Sequence, residues 1–508
     1  MSLSRLANPQ PTDSPTADST APASGSSEKA ASPQSSFLHG VAWTGSVRWF
    51  SQLASWGCTL IVARLLLPSD YGLVAMANVY FGLITMLSEF GLATAIVTMR
   101  KLNEDQLRQL NTLSIALGGI CCLVSLWAAA SVAAFYKSPQ LRLVISVMSV
   151  SFLIAGFKSV PSALMQKQLR FKPIALVNGC QVILQSLSTI AFAFSGLAYW
   201  ALIYGMLVGT CISTVLFVWL EPMGFRWPKR SSIRDIIVLS KQIIVSRLSW
   251  FVSQNADFVV AGRVLGESAL GAYSLAWQLA SLPIDKIGSV INQVTPAFFA
   301  ARQDDLATLR RYLLSITEAL ILVTLPITLG MALVADDFVP LILGLKWNAA
   351  VLPLALLAAS TTIRSVTPVF AVLMNVKGES RFLMYNNLVI ALVLPIGFLF
   401  ASRWGTAGIA SIWIFALPIL ASPYYARALK TVLVPKAQYL RTLLPALKCG
   451  AIMILTVLIT KALMSHNSSV ARLTAEVVLG ALSYGVTLYF FHWERLRGYG
   501  SMLRTLRA

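Results

Sequence analysis

From Phe37 onward the chain alternates between long apolar stretches and short polar turns, with almost no pause between one stretch and the next. An α-helix needs roughly 20 apolar residues to cross the hydrocarbon core of a bilayer. Fourteen stretches meet that length, at about 38–67, 72–98, 110–135, 142–164, 174–195, 197–220, 236–264, 269–300, 312–335, 349–375, 383–402, 405–426, 442–463 and 472–492. The pattern predicts an all-α polytopic membrane protein. Residues 1–36, rich in Pro, Ser, Thr and Ala, show no apolar periodicity and are expected to form a disordered cytoplasmic tail without a cleaved signal peptide.

Polar residues inside the spans fall on stripes. In the first span Thr44, Arg48, Ser51, Gln52, Ser55 and Thr59 lie within an arc of about 100° at 3.6 residues per turn. In the second, Asn78, Gly82, Thr85 and Glu89 are spaced by four, three and four. The seventh span groups Arg247, Gln254 and Asp257, and the eighth repeats Ser274, Gln278, Ser281, Asp285, Ser289 and Asn292 past Pro283. A charge facing lipid costs several kcal/mol, so stripes of this kind are expected to face a wet cavity. Glu89, Asp257 and Asp285 are its candidate carboxylates. Arg48, Arg247 and Arg364, with Lys286 as an outsider, are its candidate cations, and Gln52, Asn78, Gln254 and Gln278 its neutral polar lining. Lys158, Lys241 and Arg263 have a blander reading, as neutralisers of neighbouring carboxylates that hold the bundle together.

An internal repeat organises these spans. "ARLLLPSDYGLVAMAN" from Ala63 lays on "GRVLGESALGAYSLAW" from Gly262, so that Arg64 meets Arg263 and Gly72 meets Gly271, a shift of 199 residues. "LMQKQLRFKPIALVN" at Leu164 and "LMNVKGESRFLMYNN" at Leu373 form a second pair. Six spans separate the copies, which predicts a parallel repeat. The expected units are a six-helix lobe at 37–220, a cytoplasmic linker at 221–235, a second six-helix lobe at 236–426, and two further helices with a basic cytoplasmic end at 427–508. A central cavity would lie between the lobes.

Charge settles orientation rather than chemistry. Lys and Arg collect in short cytoplasmic loops, and here one alternating set of loops and the C-terminal end hold 23 of them against 6 in the other. Both termini are expected on the cytoplasmic side. The net charge of +20 is thus a topological label, and no solvated basic domain suggests nucleic acid. With 56% hydrophobic and 12% charged residues and a mean hydropathy of +0.71, the six cysteines read as small apolar residues within spans. No phosphate-binding loop, metal-ligand spacing or catalytic constellation is present, so neither a cofactor nor an enzyme is expected.

"ARLLLPSDYGLVAMANVYFGLITMLSEFGLATAIV", "LMQKQLRFKPIAL", "DFVVAGRVLGESALGAYSLAWQLASLPIDKIGSVINQVTPAFFA" and "LILGLKWNAAVLPL" resemble the Wzx-type polysaccharide transporters of the multidrug/oligosaccharidyl-lipid/polysaccharide flippase superfamily. The likeness runs from about residue 38 to 440 and is nearest to the exopolysaccharide branch. It implies translocation of undecaprenyl-diphosphate-linked oligosaccharide units to the periplasmic face of the inner membrane, by alternating access of two lobes. Partners implied are that lipid-linked oligosaccharide, membrane lipids, and polymerase and chain-length or export proteins. The motifs mark the fold and transfer no site residues. A cation-coupled drug exporter of the same superfamily is the rival, and it would favour a carboxylate-dominated cavity over an arginine-bearing one. A glycan ligase or polymerase would need a larger periplasmic loop than the 336–348 segment.

Overall fold

The computed structural model describes residues 51–52, 54–88, 96, 103–227 and 248–505, with the backbone alone described at 283–294, 297 and 492–505. Arg48, Glu89 and Arg247, the 1–36 tail and most of the 221–235 linker lie outside the described residues. All regular structure within them is helical. The helices are α1 (Ala54–Leu65), α2 (Pro68–Ser88), α3 (Glu104–Tyr136), α4 (Gln140–Lys167), α5 (Phe171–Phe194), α6 (Trp200–Leu220) and α7 (248–260). They continue with α8 (Glu267–Ala301), α9 (Leu306–Phe338), α10 (Val351–Val376), α11 (Ser380–Ala401), α12 (Gly405–Thr431), α13 (Lys436–Leu463) and α14 (Ser469–Thr505). Nine stretches among the described residues are long and apolar enough to cross a membrane, and one of them, Ser380–Thr431, holds both α11 and α12. The chain is a polytopic helical membrane protein.

Packing follows what lipid permits. Apolar side chains gain little by leaving hydrocarbon for each other, so helices join where small residues let backbones touch. On α3 and α4, Gly118 and Gly156 each face the other helix's backbone, and Ser114 Oγ donates to Gly156 O at 2.9 Å. Prolines within spans free a carbonyl four residues back, which must be met again in a dry medium. Pro326 frees Leu322 O, and Tyr484 of α14 donates to it at 2.9 Å. Pro423 frees Ile419 O, which accepts from Ser422 Oγ at 2.8 Å.

Most packing among α2–α6 is internal to that set, and α8 packs with α10, α9 with α10, and α10 with α12; α13 and α14 lie against α9. The two sets meet where α2 crosses α8. At that crossing a Cβ on Gly72 would stand 1.8 Å from Glu267 O, and one on Gly271 would stand 1.7 Å from Pro68 O. Under the 199-residue shift Gly72 corresponds to Gly271 and Pro68 to Glu267, so the two contacts are one contact made twice. Reciprocity of this kind is the mark of a local twofold relation.

A second tie closes the same end. The last carbonyls of α1 have no partner within their helix. Trp347, fully buried in the short 3₁₀ turn Leu345–Ala350, donates its indole N–H to Ala63 O at 2.8 Å, and Lys346 Nζ donates to Arg64 O at 2.8 Å. Tyr71 meets the Trp347 ring edge-on at 5.3 Å. One continuous apolar core surrounds these contacts and includes Leu73, Leu141, Leu270 and Trp413. A second core, around Phe370, Leu373 and Tyr424, fills the other end of the α9–α13 set.

Candidate functional site

Beyond the crossing, the facing sides of α2 and α8 draw apart around a cavity of about 1030 Å³. Val74 and Asn78 line it from α2; Ser274, Gln278 and Ser281 line it from α8. Asn78, Ser274, Gln278 and Ser281 are predicted stripe positions, and Gln52, Ser55 and Thr59 of the first stripe also face it, as does Gln254 of α7. Gln52, Asn78, Gln254 and Gln278 thus share one chamber. The side chain of Asp285 falls outside the described residues, although its backbone continues α8.

Arg364 enters the cavity wall from α10. Its guanidinium carbon lies 4.1 Å from the centroid of the Trp277 ring and 4.9 Å from that of Trp413. A guanidinium over an indole face gains about 0.5–2 kcal/mol, and stacking fixes its plane. Among the described lining residues Arg364 carries the single formal charge.

Asp257 sits behind this wall, not on it. Its carboxylate is fully buried; Oδ2 accepts from Tyr273 Oη at 2.6 Å and from Trp413 Nε1 at 3.1 Å, and Oδ1 accepts from the Phe258 N–H at 2.9 Å. Arg364 lies within Coulombic reach. A buried carboxylate is tolerated when hydrogen bonds and a countercharge replace its water, and Asp257 has both. It therefore fixes an aromatic platform in which Trp277 packs on Trp413 at 5.0 Å and Phe258 stands edge-on to Tyr273 at 5.5 Å. The sequence reading set Asp257 on the cavity because its stripe spacing is right; a stripe only a few residues wide cannot distinguish the wall from the layer behind it.

The lining also includes residues that the charge-led reading passes over. Gln185, Ser186 and Thr189 of α5 and Asn255 of α7 add neutral polar groups, and Trp56 adds an aromatic face. The α5 residues recur at helical spacing, but no ionisable group marks that span. Outside the cavity, Lys158 of α4 donates to Ser213 Oγ of α6 at 3.2 Å, where a carboxylate partner was one expectation. Arg263 lies over the Phe135 ring at 5.6 Å.

Chemically, the described lining of the chamber offers neutral amides and hydroxyls, indole faces and one oriented cation. Residues 61–352 match the profile of a family described as polysaccharide biosynthesis protein. The chain is 27% identical to the lipopolysaccharide biosynthesis protein WzxC of Escherichia coli (strain K12), over 72% of this chain and 77% of that protein. It is 21% identical to the succinoglycan biosynthesis transport protein ExoT of Rhizobium meliloti (strain 1021), over 87% of this chain and 91% of that one. In fold it is similar to a solved structure of the lipid II flippase MurJ in an inward closed conformation, with a TM-score of 0.74 at 12% identity, covering 90% of this chain and all of that one.

Proposed function

The chain belongs to the polysaccharide biosynthesis protein family, and we propose that it carries lipid-linked oligosaccharide units across the bacterial inner membrane by alternating access. The observation that carries this reading is the composition of the cavity. Amides and hydroxyls can donate and accept to sugar hydroxyls in any arrangement, and indole faces cover the apolar faces of sugar rings. A stacked arginine adds a directed pair of donors suited to phosphate oxygens. Arg48 and Arg247 are proposed to join Arg364 in meeting an undecaprenyl-linked diphosphate, and Glu89 and Asp285 to load the ion that drives the cycle. A cationic drug would meet Arg364 as the one formal charge among the described lining residues, which argues for the flippase over an exporter.

With the basic loops on the cytoplasmic side, both termini are cytoplasmic and the α2–α8 crossing and the Trp347 tie stand at the periplasmic end. In that orientation the closed end keeps the chamber from the periplasm while substrate loads from the cytoplasm. Two six-helix lobes, 37–220 and 236–426, rock about the cavity, and the helices of 427–508 flank them. Polymerase and chain-length or export proteins act on the delivered unit.

A strain lacking this gene tests the reading. It is expected to lose surface polymer and to accumulate lipid-linked oligosaccharide facing the cytoplasm. Accumulation on the periplasmic face, with polymer still lost, would reassign the protein to a later step.

A further inference from the structure

A groove of about 590 Å³ opens far from the central cavity, between the start of α11, the end of α12 and the turn into α13. Its apolar lining is Phe382, Pro423, Leu433 and Pro435, and its charged rim is Arg427, Lys430 and Lys436. Arg427 is held by Glu379, with Nη2 to Oε1 at 3.0 Å, and its guanidinium lies 5.4 Å from the centroid of the Phe382 ring. One carboxylate against three cations leaves this rim positive. From this juxtaposition we infer that the groove holds the headgroup of an anionic membrane phospholipid, with its phosphate between Lys430 and Lys436 and its glycerol and first methylenes on Leu433 and Phe382.

The turn between the two lysines supports this. Leu433 adopts φ +55° in the left-handed region, where glycine is the usual residue after a helix and a side chain is strained. The turn is tied by Val434 N–H donating to Leu429 O at 2.9 Å and Leu433 N–H donating to Lys430 O at 3.1 Å. The leucine side chain that this strained backbone presents is 67% exposed. Strain together with apolar exposure brings no benefit in water, but at a bilayer surface it sets an apolar wedge at acyl depth beside two cations at phosphate depth.

A leucine in the same backbone conformation, beside cations of which Arg170 is paired with Glu221, stands at the α4–α5 turn. There Leu169 has φ +57°, is 71% exposed and lies between Lys167 and the pair Arg170 and Lys172. Basic pockets between helices on the cytoplasmic side are where anionic headgroups bind, and each nearby cation adds a few-fold to affinity. This inference does not depend on what the central cavity transports.

The test uses the purified full-length protein in detergent, titrated with phosphatidylglycerol or phosphatidylcholine and read by native mass spectrometry. Phosphatidylglycerol is expected to be retained at least about tenfold better. Lys430→Gln with Lys436→Gln should bring the two lipids level, while melting temperature and elution volume stay unchanged. Leu433→Asn, a residue that tolerates φ near +55°, should weaken both lipids and preserve the ratio between them. Equal retention of the two lipids by the unaltered protein, or a preference that survives the double lysine change, would overturn the proposal. Competition by undecaprenyl phosphate more effective than that by phosphatidylglycerol would assign the groove to the transported lipid instead.

Discussion

At the scale of the residue, Arg364 and Asp257 share one aromatic platform and differ in what their loss should reveal. Arg364 touches the chamber, so Arg364→Ala should lower polymer export by about 10- to 100-fold, as expected for one charge-assisted hydrogen bond to substrate of 1.5–3 kcal/mol. Arg364→Lys should recover part, because charge survives and the planar stacked fork does not. Asp257→Asn should act mainly on stability, since it takes away the buried charge that Tyr273, Trp413 and the Phe258 N–H hold and that offsets Arg364, a loss of about 1–3 kcal/mol. Membrane abundance and melting temperature measured with export separate the two. The double change should regain abundance and leave export low; normal export from Arg364→Ala at normal abundance would remove it from the substrate path. The sequence marked Gln52, Asn78, Gln254, Gln278 and Arg364 as chamber residues because a periodic polar group in an apolar span has few other reasons to exist. It could not set Asp257 one layer back, since depth behind a wall depends on Tyr273 and Trp413, the latter 156 residues away.

At the scale of the element, the α2–α8 crossing is the closest backbone approach at a glycine among the described residues. The repeat "PSDYG" against "ESALG" was legible as an aligned pair of glycines at a shift of 199; that each glycine lies on the other copy's helix start was not, because alignment carries no distance. Gly271→Ala would place a methyl group within 1.7 Å of Pro68 O, so the closed crossing cannot form unaltered. The expected outcome is a chamber opened at this end, with a cysteine at Gln278 becoming reactive to an impermeant thiol reagent in intact cells and export falling. Unchanged reactivity with full export would show that the crossing relaxes without opening. Trp347→Ala attacks the second tie. It removes a fully buried indole and the hydrogen bond to Ala63 O, and should cost about 3–5 kcal/mol, read as a lower melting temperature. A different element contact binds α9, α13 and α14. There Arg472 pairs with Asp337 and lies 4.0 Å from buried Glu476, while Lys461 pairs with Asp336. Arg472→Ala strands two buried carboxyls and should lower abundance, and adding Glu476→Leu should restore part of it, since an apolar side chain needs no countercharge.

At the scale of the whole molecule, the function rests on which end is closed and which side that end faces. The tie at Trp347 and the crossing at Gly72 and Gly271 define the closed end from coordinates, while the side it faces is read from the basic residues, 23 in one set of loops and the C-terminal end against 6 in the other set. These are independent lines, and one experiment joins them. A cysteine at Asn348, exposed in the 3₁₀ turn beside Trp347, should react with an impermeant thiol reagent added to intact cells. One at Ser232, in the segment between the two halves, should react only after the membrane is opened. That pattern puts the closed end at the periplasm, and the chamber then loads from the side where lipid-linked sugars are assembled. The reverse pattern would turn the same coordinates into an importer's resting state, closed toward the cytoplasm, and would overturn the direction of transport while leaving the chamber's lining unchanged. Because the contact between the starts of α2 and α8 is reciprocal, both crossing helices begin at the closed end, so a single labelled turn fixes the sidedness of the pair.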